Sequence, residues 1–176
     1  MRVAKLARLM SGPSQYFEPL RLAETQETLA GQLDVSNLPR LVELLADQSG
    51  TVNFELKFSR SDNGTVRLTG AISTVVHLLC QRCLEPIAVR VNSPVSFAIQ
   101  GTNGAGTAEL PPDAEPLILN EQRVHLGTFL EDEILLGLPM VPMHAANACP
   151  ASGGEAPAGQ KRNRPFEVLK DLRTKS

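Results

Sequence analysis

Between Val66 and Ile99 the apolar side chains recur at every second position. Val66, Leu68, Ile72, Val76 and Leu78 are even-numbered, whereas Ile87, Val89, Val91, Val95, Phe97 and Ile99 are odd-numbered. Alternation of this kind marks strands with one buried face. The change of parity requires an even-length connection, and pairing Cys80 with Ile87 leaves six residues at the tip of a long hairpin. Val52, Phe54, Leu56 and Phe58 form an earlier alternating run, followed by Ser61-Asp62-Asn63-Gly64. Phe58 and Leu68 share parity, so a common face needs an odd-length loop such as Asp62-Asn63-Gly64, with Gly64 left-handed in a bulge turn. Residues 51–100 therefore read as a three-stranded antiparallel meander with one apolar face, which helices can cover.

The helical period appears twice. Leu38 to Ala46 reads as a helix capped by Ser36 or Asn37, with Pro39 in its first turn, where the missing N–H costs little. A second helix, about Leu126 to Leu138, buries Leu126, Phe129, Leu130, Ile134 and Leu138, turns Glu131, Asp132 and Glu133 mainly to solvent, and stops at Pro139. Glu24 to Val35 mixes apolar and polar residues without a clear period. The expected fold is α+β: an antiparallel β-meander with two covering helices, a Cys-x-x-Cys hairpin tip and flexible basic termini. Its expected divisions are a flexible extension over 1–16, one domain over 17–143 with a mobile Gly/Pro-rich loop at 101–116, a flexible tether over 144–163, and a short docking segment over 164–176. In that last segment Phe166, Leu169 and Leu172 share a helical face suited to docking on the body or on a partner.

Charge changes the picture more than composition does. The 176 residues carry a net −2, but residues 1–10 hold three basic side chains and no acid, and residues 161–176 hold six basic side chains against Glu167 and Asp171. The ends are thus +3 and +4, which leaves −9 on residues 11–160. Nucleic-acid modules normally present a basic face, so Lys161, Arg162 and Arg164 are better candidates for RNA contact than the body. At the hairpin tip, Gln81 and Arg82 add a donor fork suited to phosphate or carboxylate. With no Trp and a single Tyr, aromatic platforms for bases are scarce. No apolar run reaches the roughly 18 residues of a membrane span, and Arg2, Lys5 and Arg8 interrupt the first ten residues, so a cytoplasmic protein without membrane partners is expected.

Three cysteines do not make a disulfide framework in that compartment. Cys80 and Cys83, completed by His144 and Cys149, have the types and order of a Cys₃His zinc site. The alternative is that Cys80 and Cys83 simply end strands as small, partly buried side chains. Thioredoxin-like chemistry does not fit, because that motif opens a helix whereas Pro86 and Ile87 begin a strand. His77 alternates within a strand and His125 sits where a helix N-cap belongs. With no Gly-x-Ser-x-Gly or phosphate-loop sequence, no catalytic residue is assigned and no enzymatic role is expected.

Leu79-Cys80-Gln81-Arg82-Cys83-Leu84-Glu85-Pro86, Val124 to Pro139 with its Glu131-Asp132-Glu133-Ile134-Leu135-Leu136 core, and Arg164 to Lys170 follow one another in an order that resembles the YceD family of large ribosomal RNA subunit accumulation proteins. The resemblance implies a part in the synthesis, processing or stability of large-subunit (23S) ribosomal RNA. The expected partner is then a precursor of that RNA or a ribosome-assembly protein, met by a non-catalytic biogenesis factor. The alternative is a zinc- or thiol-dependent regulator that uses the Cys80/Cys83 knuckle.

Overall fold

A computed structural model of the chain describes residues 16–61, 64–101, 112–145 and 147–150. The chain divides into two compact units, residues 1–143 and 144–176, and every strand and helix named below belongs to the first. The fold is α+β, rich in antiparallel strands. Its main sheet is built from β2 (Thr28–Asp34), β3 (Thr51–Arg60), β4 (Val66–Leu79), β5 (Pro86–Gly101) and β6 (Glu115–Leu119), in that spatial order. Pairs such as Phe58↔Leu68, Leu68↔Phe97 and Val76↔Val89 set the apolar parity of three successive strands on one face.

Both outer strands escaped the periodicity argument. The ambiguous stretch after Glu24 contains β2, an antiparallel partner of β3 that buries Leu29 and is otherwise only partly covered, as an edge strand can be. β6 lies parallel to β5. Parallel neighbours need a connection of about a dozen residues or more, and the chain between Gly101 and Glu115 provides it. Most of the loop expected over 101–116 lies outside the described residues, but its end is ordered: Ala114 is buried and Pro116 is already within β6. At the β3–β4 turn, Ser61 N–H donates to Thr65 O (2.9 Å), Gly64 N–H donates to Ser61 O (2.9 Å), and Gly64 takes a φ of +86°.

Three α-helices are present among the described residues, where two were expected. The unforeseen α1 (Pro19–Glu24) begins on a proline and buries Leu22 and Ala23. It is too short for a helical period to register. The helix expected over Leu38 to Ala46 is only one turn, α2 (Pro39–Val42), preceded by a 3₁₀ turn at Val35–Asn37. Its N-cap is Leu38, with no side-chain cap, in place of Ser36 or Asn37. The chain tightens into i→i+3 bonds at Leu44 and Leu45, and Ala46 N–H then leaves for the β4 carbonyl of His77 (2.7 Å). Leu38 and Leu41 are fully buried, so packing holds this turn where a cap does not.

α3 (Leu126–Gly137) follows a two-residue strand, β7 (Val124–His125), which pairs with β1 (Tyr16–Phe17). His125 is its N-cap: Nδ1 accepts from Thr128 N–H at 3.1 Å, which places the ring proton on Nε2. Leu126, Phe129, Leu130 and Ile134 join the sheet's apolar face in one core. Phe129 meets Phe17 and Phe97 edge-on, with ring centroids 6.0 and 5.9 Å away. The acidic run of α3 does not all face water. Glu131 is 3% exposed; its Oε1 accepts from Leu41 N–H (3.0 Å) and its Oε2 from Arg40 Nε (2.8 Å).

Candidate metal centre and hairpin tip

The β4–β5 ladder closes at Leu79↔Pro86, so the six-residue tip is Cys80 to Glu85, one position earlier than a Cys80–Ile87 pairing gives. Cys80 N–H donates to Glu85 O and Leu84 N–H to Cys80 O, both at 2.9 Å. The second bond folds the backbone around the thiols and sets Leu84 at a φ of +62°. A left-handed conformation costs a leucine on the order of 1 kcal/mol, and the tight tip holds it there. Cys80 is buried, Cys83 half-buried and Leu84 exposed. Gln81 N–H donates to Pro142 O (2.9 Å), while Arg82 Nη2 lies 3.9 Å from Met143 Sδ.

Ala148 N–H and Cys149 N–H both donate to Ala145 O, at 2.9 and 3.2 Å. Cys80 and Cys83 of the first unit and His144 and Cys149 of the second make up a group that could hold a metal ion. Three sulfurs and one imidazole nitrogen are a borderline-soft donor set, suited to zinc and unsuited to magnesium or calcium.

The remaining residues singled out from sequence are scattered. Lys161, Arg162, Arg164, Phe166, Leu169 and Leu172 lie outside the described residues. His77 Nδ1 is 3.1 Å from Asp47 Oδ2. Hydrogen bonds from Ser49, and then His77, hold the Asp47 carboxyl below its ordinary range. Arg67 holds Asp113 low in the same way, through a 2.7 Å contact. Burial raises Glu133, with Glu115 and Asp132 adding repulsion, against a hydrogen bond from Ser93 Oγ (3.2 Å). Sequence reasoning missed the Arg40 clamp, in which the guanidinium reaches Asp132 Oδ1 at 2.6 Å as well as Glu131, and both carboxylates raise its pKa. The partners are 91 and 92 residues apart, so no local pattern reports them.

Among the described residues no helix is long and apolar enough to cross a membrane. No solved structure matches the chain. A curated relative from Haemophilus influenzae, the large ribosomal RNA subunit accumulation protein YceD, is 29% identical over 165 residues, which span 90% of this chain and 94% of the relative. The family model described as large ribosomal RNA subunit accumulation protein YceD matches residues 68–173, a span that includes all four candidate metal ligands. By that match, over more than half of its length, the chain belongs to the YceD family.

Proposed function

We propose that the protein is a non-catalytic, cytoplasmic ribosome-biogenesis factor that supports the synthesis, processing or stability of large-subunit (23S) ribosomal RNA. The observation that carries this reading is the family match over residues 68–173, strengthened by a relative that is similar along nearly its whole length and bears that function in its name. The constellations described above favour binding over turnover: His125 caps a helix, His77 pairs with a carboxylate, and Glu131 of the acidic run of α3 is used in packing.

Zinc is the cofactor this reading includes. Cys80, Cys83, His144 and Cys149 would hold it, with the thiolates carrying the charge that a divalent ion neutralises. Bound zinc would supply structure rather than Lewis-acid chemistry, because four protein ligands leave no open position. Gln81 and Arg82 at the tip, and Lys161, Arg162 and Arg164 beyond the described residues, are the proposed contacts to an RNA precursor or an assembly protein; Phe166, Leu169 and Leu172 are the proposed docking face.

The test is deletion of the gene, with the ratio of large- to small-subunit ribosomal RNA measured before and after complementation. The expected result is a loss of large-subunit RNA that wild type restores and Arg82→Glu restores poorly. An unchanged ratio in the deletion strain removes the reading. Crosslinking with a variant truncated before Lys161 then separates direct RNA contact through the basic end from contact through a protein.

A further inference from the structure

Although the body of this chain is acidic, the β1/β7 ribbon and the adjoining start of α1 bring an exposed aromatic ring and two arginines to either side of Glu18. Phe17 points into the core at 5% exposure, so Tyr16 and Glu18, its neighbours on an extended chain, face the other way. Tyr16 is 57% exposed, and its ring meets that of its cross-strand partner His125 edge-on, with centroids 5.1 Å apart. Glu18 lies between two guanidinium groups: Oε2 accepts from Arg21 Nε at 3.2 Å and Oε1 from Arg123 Nε at 3.1 Å. Both arginine side chains are about two-thirds exposed, at 64% and 66%. Each uses Nε rather than Nη for the carboxylate, and Glu18 restrains the fork. Two guanidinium groups thus share one carboxylate, and the fifteen residues preceding Tyr16 carry Arg2, Lys5 and Arg8 with no acid.

We infer that this ribbon is a contact for single-stranded RNA, with a phosphate held by the Nη groups of Arg21 and Arg123 and an adjacent base stacked on Tyr16. The inference rests on the ribosomal RNA reading above and adds a surface to it. A planar guanidinium fork matches phosphate oxygens, and unstacked bases of single strands are taken up on aromatic rings. Duplex RNA fits less well, because its bases offer no free face.

The chain itself provides the reporter. With one Tyr and no Trp, tyrosine emission comes from Tyr16 alone. The full-length protein is titrated with a twelve-nucleotide oligouridylate, following Tyr16 emission and, in parallel, the anisotropy of labelled RNA at two salt concentrations. Saturable quenching is expected. Arg21→Gln with Arg123→Gln should weaken binding about tenfold or more and flatten the log–log salt slope by roughly 0.7, for one phosphate contact on a single strand. Tyr16→Leu should weaken it about fivefold or more, and Tyr16→Phe should retain it. Thermal melting of each variant controls for folding. RNA binding that leaves Tyr16 emission unchanged, or arginine variants that bind like wild type, overturns the inference. Complementation reads the two proposals separately: a Tyr16→Leu, Arg21→Gln, Arg123→Gln chain that restores ribosomal RNA overturns this surface alone, while wild type failing to restore it overturns the functional reading.

Discussion

Glu131 shows how one side chain can act at a distance in sequence. It is on α3, yet its carboxylate completes the unsatisfied N-terminal turn of α2 through Leu41 N–H and fixes Arg40. Replacing it by alanine orphans a buried backbone donor, and the loss of a charged hydrogen bond there should cost about 2–3 kcal/mol of stability in urea denaturation. Glutamine, which keeps an acceptor oxygen, should lose less. Glu133, two residues on, has the opposite sign. Its folded pKa is raised, chiefly by burial, so the native state binds its proton more readily than the unfolded chain, and stability falls as pH rises through the range between the two pKa values. Glu133→Gln should therefore melt higher than wild type at pH 7, with the gap closing below about pH 4, where both forms are neutral. A gap that persists in acid would mean that the gain comes from packing.

At the scale of elements, strand alternation was readable because the period of two is local and each strand buries one face. Helices were harder, since α1 is less than two turns and α2 a single turn, both held by Leu22, Ala23, Leu38 and Leu41 in the core rather than by side-chain caps. The close approach of β3 and β4 makes a specific demand at Gly70. A Cβ there would lie 2.0 Å from the carbonyl oxygen of Glu55, a backbone atom inside the ladder that cannot swing aside. Gly70→Ala should therefore cost about 2–3 kcal/mol, seen as a lower urea midpoint with an unchanged m-value, whereas alanine at exposed Ala-compatible strand positions such as Ser59 should be nearly neutral.

For the whole molecule, Cys80, Cys83, His144 and Cys149, drawn from positions up to 69 residues apart, are a group that could hold a metal ion. Protein purified without chelator should carry about one zinc per chain by plasma mass spectrometry, and Cys80→Ser or Cys149→Ser should reduce that to less than half; wild type without zinc under these conditions would remove the metal reading. The sequence alone determined the two-residue apolar period, the parity of the tip and β3–β4 loops, the left-handed Gly64, the His125 cap and the four candidate metal ligands, because each depends on nearest neighbours or on residue chemistry. Only the tertiary structure decided the parallel placement of β6, the shrinkage of α2 to one turn, the burial of Glu131 against Arg40 and Leu41, the pairing of Tyr16 with His125, and the meeting of Glu18 with Arg21 and Arg123. Those arrangements join segments about 90 to 105 residues apart or are settled by packing against the core, and neither kind of constraint leaves a periodic trace in the local sequence.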